Sequence, residues 1–174
     1  DIIEKSDIMK ENKSINKPKI EDLILFAKES GIFLLKNFRK TKITRREYGI
    51  DVKTIYDITS EKLIKRTIMK KFPEHSILAE ETGYLKRNED FLWIVDPLDG
   101  TSNFINGNPF FCVAIAFAYK GKLELSVVYA PFLKELFIAQ NNKGAYRVDL
   151  FRNKKIRIRV STTSDLNNSY ICLL

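Results

Sequence analysis

The sequence predicts an α+β fold, with two helices packed on a mostly antiparallel sheet. Two early segments, residues 20–38 and about 59–72, place apolar residues at helical spacing. From residue 76 onward the pattern changes to short strand-like runs. Two of these runs flank Lys120-Gly121-Lys122, a hairpin signal that makes its neighbours antiparallel. Helices early and strands late imply helices gathered on one face of a sheet. A chain of 174 residues can bury one real core.

Residues 1–18 have no sustained period and read as a loose arm; residues 19–174 form the folded unit. After Pro18, the residues Ile20, Leu23, Ile24, Ala27, Gly31, Leu34, Leu35 and Phe38 share one helix face. Gly31 on that face predicts close contact with a partner element. The second helix faces inward with Leu63, Ile64, Thr67, Ile68 and Phe72, and Pro73 ends it. Strands are expected at 76–79, 91–95, 111–119, 123–130, 135–139, 145–148 and 156–160. In the last, Lys155, Arg157 and Arg159 alternate with Ile156, Ile158 and Val160, as on a soluble outer strand. The closing "SYICLL" reads as one more strand, at which the sequence stops.

Composition narrows the function classes. Apolar content of 44% and charged content of 30% are ordinary for a soluble protein. No apolar run approaches the length of a membrane span, and residues 1–14 lack the apolar stretch of a signal peptide. Two cysteines, Cys112 and Cys172, make no disulfide framework, so a reducing cytoplasm is expected. Cys112 lies in an apolar strand and reads as core. The net charge of +8 raises nucleic acid as a partner. The basic residues are spread, however, and no aromatic residues interleave them as single-strand binding requires. Nucleic acid is therefore set aside in favour of a solvated basic surface.

Three acidic clusters carry the chemistry: Asp51 to Asp57 in "DVKTIYD", Glu80 and Glu81 in "AEET", and Asp96 and Asp99 in "DPLDGT". Each has a plain role open to it. Asp57 can cap the second helix, the glutamates can be loop residues, and the aspartates can shape a turn. The third cluster resists that reading, because Asp96 directly follows an apolar strand. Two carboxylates about 4 Å apart repel by about 4 kcal/mol at an effective dielectric of 20. Oxygen donors suit a hard cation, Mg²⁺ above all. Gly100 permits close backbone approach, and the amides after it can open a short helix that receives an anion. Spacing alone leaves a phosphate-handling metal site and a structural turn both open.

Together these motifs resemble the inositol monophosphatase family, lithium-sensitive, magnesium-dependent phosphomonoesterases. The family's D-P-[apolar]-D-G-T-x-N-F is matched by Asp96, Pro97, Leu98, Asp99, Gly100, Thr101, Asn103 and Phe104. Asn106, Gly107, Pro109 and Phe110 continue the match. Its D-x-x-T-x-x-D falls on Asp51, Thr54 and Asp57, and its Gly-Glu-Glu appears as Ala79-Glu80-Glu81. The resemblance implies Mg²⁺-dependent hydrolysis of a phosphate monoester, of inositol or a related sugar or polyol, by direct attack of a metal-activated water. By position, Glu80, Asp96, the Leu98 carbonyl, Asp99 and Asp57 would serve the metals. Asp57, Thr101 and Glu80 would be catalytic, with Asp57 and Thr101 orienting the water. Asp99, Gly100 and Thr101 would hold the substrate phosphate. The family commonly forms homodimers.

The pattern departs at Ala79, where the family has glycine, and at Lys53, where it has an apolar residue. The family's second, C-terminal lobe has no counterpart before Leu174, so the match implies the N-terminal lobe of a layered α/β/α/β/α fold. A fragment of a longer protein and a truncated gene product both fit. A non-catalytic remnant acting as an interaction module is the alternative function. Bisphosphate nucleotidase and fructose bisphosphatase chemistry are the alternatives within the family. His75, the sole histidine, reads as structural.

Overall fold

In the computed structural model of the chain, residues 16–40, 43–46 and 52–169 are described. Asp51, Cys172, residues 1–15 of the arm and residues 170–174 lie outside them. The expected α+β architecture is present. Two long helices, α1 (Ile20–Asn37) and α2 (Ile55–Lys71), pack against each other and onto one large sheet.

That sheet is built from β3 (His75–Ala79), β4 (Gly83–Leu85), β5 (Asn88–Asp99), β6 (Cys112–Tyr119), β7 (Lys122–Ala130), β8 (Glu135–Gln140), β9 (Gly144–Asp149) and β10 (Lys154–Ile158). Its order is β10-β9-β8-β7-β6-β5-β3-β4. Only β3 and β5 run parallel; every other pair in it is antiparallel. A separate antiparallel pair, β1 (Ile43–Arg46) and β2 (Val52–Thr54), precedes α2. A short α3 (Thr101–Ile105) follows β5. The β6–β7 hairpin turns through Lys120 and Gly121 at φ +50° and +75°, the two positive dihedrals of a tight turn matched to strand twist.

The core lies between the helices and one sheet face. Leu23, Phe26, Ala27 and Leu34 of α1 and Ile64 and Ile68 of α2 meet Trp93, Val95, Val113, Ile115, Phe117, Val127 and Tyr129. Strand alternation turns Leu78 and Ile94 to the other face, where they are 43% and 37% exposed. Gly31 makes the close approach expected of it. A Cβ there would lie 2.4 and 2.6 Å from the Tyr129 ring and 3.2 Å from Pro131.

His75 is structural, as read. It is buried, stacks 4.6 Å from Phe91 and 5.0 Å from Phe72, and accepts the Trp93 indole N–H at 3.0 Å on Nδ1. Nε2–H then donates to the Asn16 carbonyl, so the last part of the arm is docked. Lys17 adds to this, with Nζ 3.4 Å above the Tyr119 ring.

Three expectations need correction. α2 begins at Ile55, four residues before the expected start, because Thr54 caps it. β5 does not end at Val95 but continues through Pro97 to Asp99. β10 ends at Ile158 and lies at the sheet edge; Ile156 is 42% and Val160 94% exposed, so its apolar side is not buried.

Candidate active site

The Thr54 hydroxyl accepts from the Tyr56 amide at 3.0 Å and the Asp57 amide at 3.4 Å, closing the first turn of α2. Asp57, three residues on, returns the bond: its Oδ2 accepts the Thr54 amide at 2.8 Å and the Thr54 hydroxyl. Asp57 is therefore 2% exposed and held from two sides. Its other oxygen, Oδ1, lies 2.8 Å from Thr101 Oγ1. The cap role and the site role fall on the two oxygens of one carboxylate.

The "DPLDG" segment owes its geometry to a bulge. Asp96 pairs with Ala114 and Asp99 with Cys112, so three steps on β5 span two on β6. In a regular strand, residues three apart point to opposite faces. One extra residue cancels that parity and re-aims the side chains, so Asp96 and Asp99 serve the same side. Pro97 belongs in such an irregularity, having no N–H to lose from the ladder. Gly100 follows at φ +83°, and a Cβ on it would stand 2.8 Å from the Phe110 carbonyl oxygen. Only glycine fits, and it starts α3 with Thr101 in its first position.

Glu80 follows β3, beside Asp96, with its amide bonded to the Val95 carbonyl at 3.1 Å. The Asp96 carboxyl lies within hydrogen-bonding reach of the Glu80 side chain. Burial pushes the Asp96 carboxyl above its ordinary value. The Glu80 hydrogen bond and the Leu98 amide oppose that, while the Asp99 and Asp57 charges reinforce it. The Leu98 carbonyl lies 3.0 Å from Thr101 Oγ1.

Cys112 corrects the core reading. It is half-buried at the mouth of β6, and its thiol donates to Asp99 Oδ2 at 3.3 Å. Burial, then the Asp99 charge and hydrogen bond, push that thiol up to about 12. Sequence alternation gave its strand but not its end of the strand. Ser60 and Glu61, both fully buried, were also missed. Their signal was present: with Asp57 and Ile64 they continue one helical stripe, so polar residues stand where the core face runs.

The predicted residues thus converge from four places: Asp57 on α2, Glu80 after β3, Asp96, Leu98 and Asp99 on the bulged β5, and Gly100 and Thr101 at α3. Among the described residues, no three acidic, cysteine or histidine side chains stand in metal-holding geometry at once. The donor set nevertheless fits a hard divalent cation. It is oxygen-rich, burial and the neighbouring Asp99 and Asp57 charges push Asp96 up, and among the described residues no Lys or Arg pairs with Asp57, Asp96 or Asp99.

Comparison with known proteins agrees with this arrangement. A profile of the inositol monophosphatase family matches residues 19–173. The chain belongs to that family. It is 37% identical over 157 residues to the Nus factor SuhB of Haemophilus influenzae, covering 88% of this chain and 57% of that relative. Among solved structures it resembles the extragenic suppressor protein SuhB from Bartonella henselae (TM-score 0.73, 32% identity, 82% of this chain and 54% of that one). It also resembles an inositol monophosphatase from Thermotoga maritima (TM-score 0.72, 34% identity, 82% and 54%). An inositol monophosphatase/NADP phosphatase solved with Mg²⁺ and phosphate matches at TM-score 0.62 and 30% identity, over 69% of this chain and 46% of that one. The chain therefore spans about half the length of the family members it matches.

Proposed function

We propose that residues 19–174 form the metal-binding part of a cytoplasmic phosphatase that hydrolyses a phosphate monoester, with inositol phosphate or a related sugar or polyol phosphate as substrate. The observation that carries this reading is the Asp57–Thr101 pair at 2.8 Å, set beside the Asp96/Asp99 bulge. Mg²⁺, held by Glu80, Asp96, the Leu98 carbonyl and Asp99, would supply charge neutralisation and water activation. The remaining steps fall to the chain. Thr101 has one hydroxyl proton and two acceptors within reach, Asp57 Oδ1 and the Leu98 carbonyl. With the carbonyl engaged elsewhere, that proton goes to Asp57. The lone pairs of Thr101 then face the attacking water and take its proton toward Asp57. Two bonds from Thr54 keep Asp57 oriented for this. Gly100 and Thr101 amides would position the phosphate. Enzymes accelerate this class of reaction by up to about 10²¹-fold, and electrostatic clamping is the device of sufficient size here.

The test is phosphate release by a chimaera that adds a relative's C-terminal portion to this chain. Release that needs Mg²⁺, is inhibited by Li⁺ and is lost on Asp96→Asn supports the reading. No Mg²⁺-dependent release from the chimaera contradicts it. The homodimer implied by the resemblance is tested on the same material by its native mass.

A second reading has its own support. The Haemophilus influenzae relative bears the name of a Nus factor rather than an enzyme. We carry it as the alternative that this lobe acts as an interaction module. The dismissal of nucleic acid drawn from composition finds no support in relatives so named. RNA affinity that falls steeply with salt would favour this alternative.

A further inference from the structure

One face of α2 meets all three acidic motifs. Asp57, Ser60 and Glu61 are spaced i, i+3, i+4 and are 2%, 0% and 0% exposed. Asp57 reaches Thr101. Ser60 Oγ donates to the Pro97 carbonyl at 2.8 Å, between Asp96 and Leu98. It also meets Ser30 Oγ of α1. With its one proton on Pro97, Ser60 accepts from Ser30, so both helices anchor the bulge through one relay. Glu61 Oε2 accepts the Glu81 amide at 2.6 Å, the backbone group directly after Glu80. Its Oε1 accepts the Thr82 hydroxyl, and Lys65 Nζ at 3.9 Å offsets its charge.

A buried carboxylate is a costly way to tie down a loop. Both anchors act on backbone atoms adjacent to the acidic residues, not on the acidic side chains themselves. We propose that Ser60 and Glu61 are positioning residues that fix the spacing of the Glu80 turn and the Asp96–Asp99 bulge, so that both loops face one cation. This rests on the metal-site reading above. A turn-stabilising role alone would leave cation affinity unchanged once the chain is folded.

The experiment uses the full 174-residue chain with Ser60→Ala, Glu61→Gln and Thr82→Val. Ile138→Val serves as a control, on β8, three strands from β5 in the sheet. Two readouts are taken: Mg²⁺ affinity by calorimetry, and amide hydrogen exchange of residues 79–83 and 96–101. Losing an outer partner of a metal ligand weakens metal binding about 10- to 100-fold, and Ser60 and Glu61, which hold the backbone beside the ligands, fall at the lower end of that range. The proposal predicts at least about tenfold weaker Mg²⁺ binding in Ser60→Ala and Glu61→Gln, a smaller loss in Thr82→Val, and no change in Ile138→Val. It also predicts faster exchange confined to 79–83 in Glu61→Gln and to 96–101 in Ser60→Ala. Unchanged affinity in folded variants, or an equal loss in the control, overturns it. If the unsubstituted chain binds no Mg²⁺, the metal reading fails on its own. Segment-confined exchange then still upholds the anchoring, and uniform or absent change rejects it. Should Glu61→Gln fail to fold, Thr82→Val and Ser60→Ala carry the same comparison.

Discussion

Gly31→Ala is the sharpest test of how α1 meets the sheet. The substitution adds one methyl to a helix, which in isolation stabilises by about 1 kcal/mol. Here that methyl would fall 2.4 Å from Tyr129 Cε1 and 2.6 Å from Cδ1. Tyr129 is 7% exposed and belongs to the core, so its ring cannot swing clear. Overpacking of this kind costs about 1–3 kcal/mol, and contacts this short belong at the upper end. The net loss is then about 2 kcal/mol, equal to roughly 4–8 °C in melting temperature for a chain of this size. Urea and thermal unfolding of the two proteins measure it. A double-mutant cycle isolates the cause: in a Tyr129→Ala background only the 3.2 Å contact with Pro131 remains, and Gly31→Ala should cost much less than in the wild type. If Gly31→Ala is tolerated in the Tyr129 background, the ring is not where the structure places it and the α1–β7 contact is wrong.

The remaining predictions concern protons and the site. Burial lowers the His75 pKa below 6.5, against the smaller opposing effect of its Asn16 hydrogen bond. The unfolded chain therefore binds more protons as pH falls below 6.5, and this contribution to stability, complete above 6.5, is lost as pH drops toward the folded pKa. Protonation of Nδ1 also breaks the Trp93 bond. Urea midpoints between pH 7.5 and 5 should fall for the wild type and fall less for His75→Gln; parallel profiles would refute it. A Cys112 thiol raised from 9.0 to about 12 has roughly a thousandfold less thiolate. With Cys172→Ser and EDTA present, iodoacetamide at pH 8 should label Cys112 far more slowly than a free peptide thiol; equal rates would place it away from Asp99. Gly100→Ala meets a backbone oxygen at 2.8 Å and a positive φ that costs about 1–2 kcal/mol. It should lower stability and abolish any Mg²⁺ response, and an unaltered response would show that the bulge does not need that turn.

Much of this was legible in sequence, for reasons particular residues make clear. The α1 stripe and the β6–β7 hairpin were readable because one continuous apolar face and one Lys-Gly turn state them locally. The start of α2 was misplaced because Thr54 and Asp57 were read for chemistry, although together they also form a capping box. The strand expected at 91–95 was ended too early, because Pro97 sits in a bulge that pairing with β6 sustains, and pairing is not a local property. The short β1, β2 and β4 are of three or four residues, too brief for a period to show. At the site, the acidic motifs announced themselves by type and spacing. Cys112, Ser60 and Glu61 did not, because their roles depend on which strand end or loop lies opposite. A polar stripe in line with a buried apolar one was the missed clue.

The central claim is that the Glu80, Asp96, Leu98 and Asp99 groups hold Mg²⁺ with Asp57 and Thr101 poised beside it. Calorimetric titration of the 174-residue chain with Mg²⁺, against its Asp96→Asn variant, addresses it most directly. The account predicts saturable binding by the chain and its loss in the variant, at equal or greater thermal stability, since the substitution removes a half-buried charge held near those of Asp99 and Asp57. No binding at millimolar Mg²⁺, or identical isotherms for the two proteins, would contradict it.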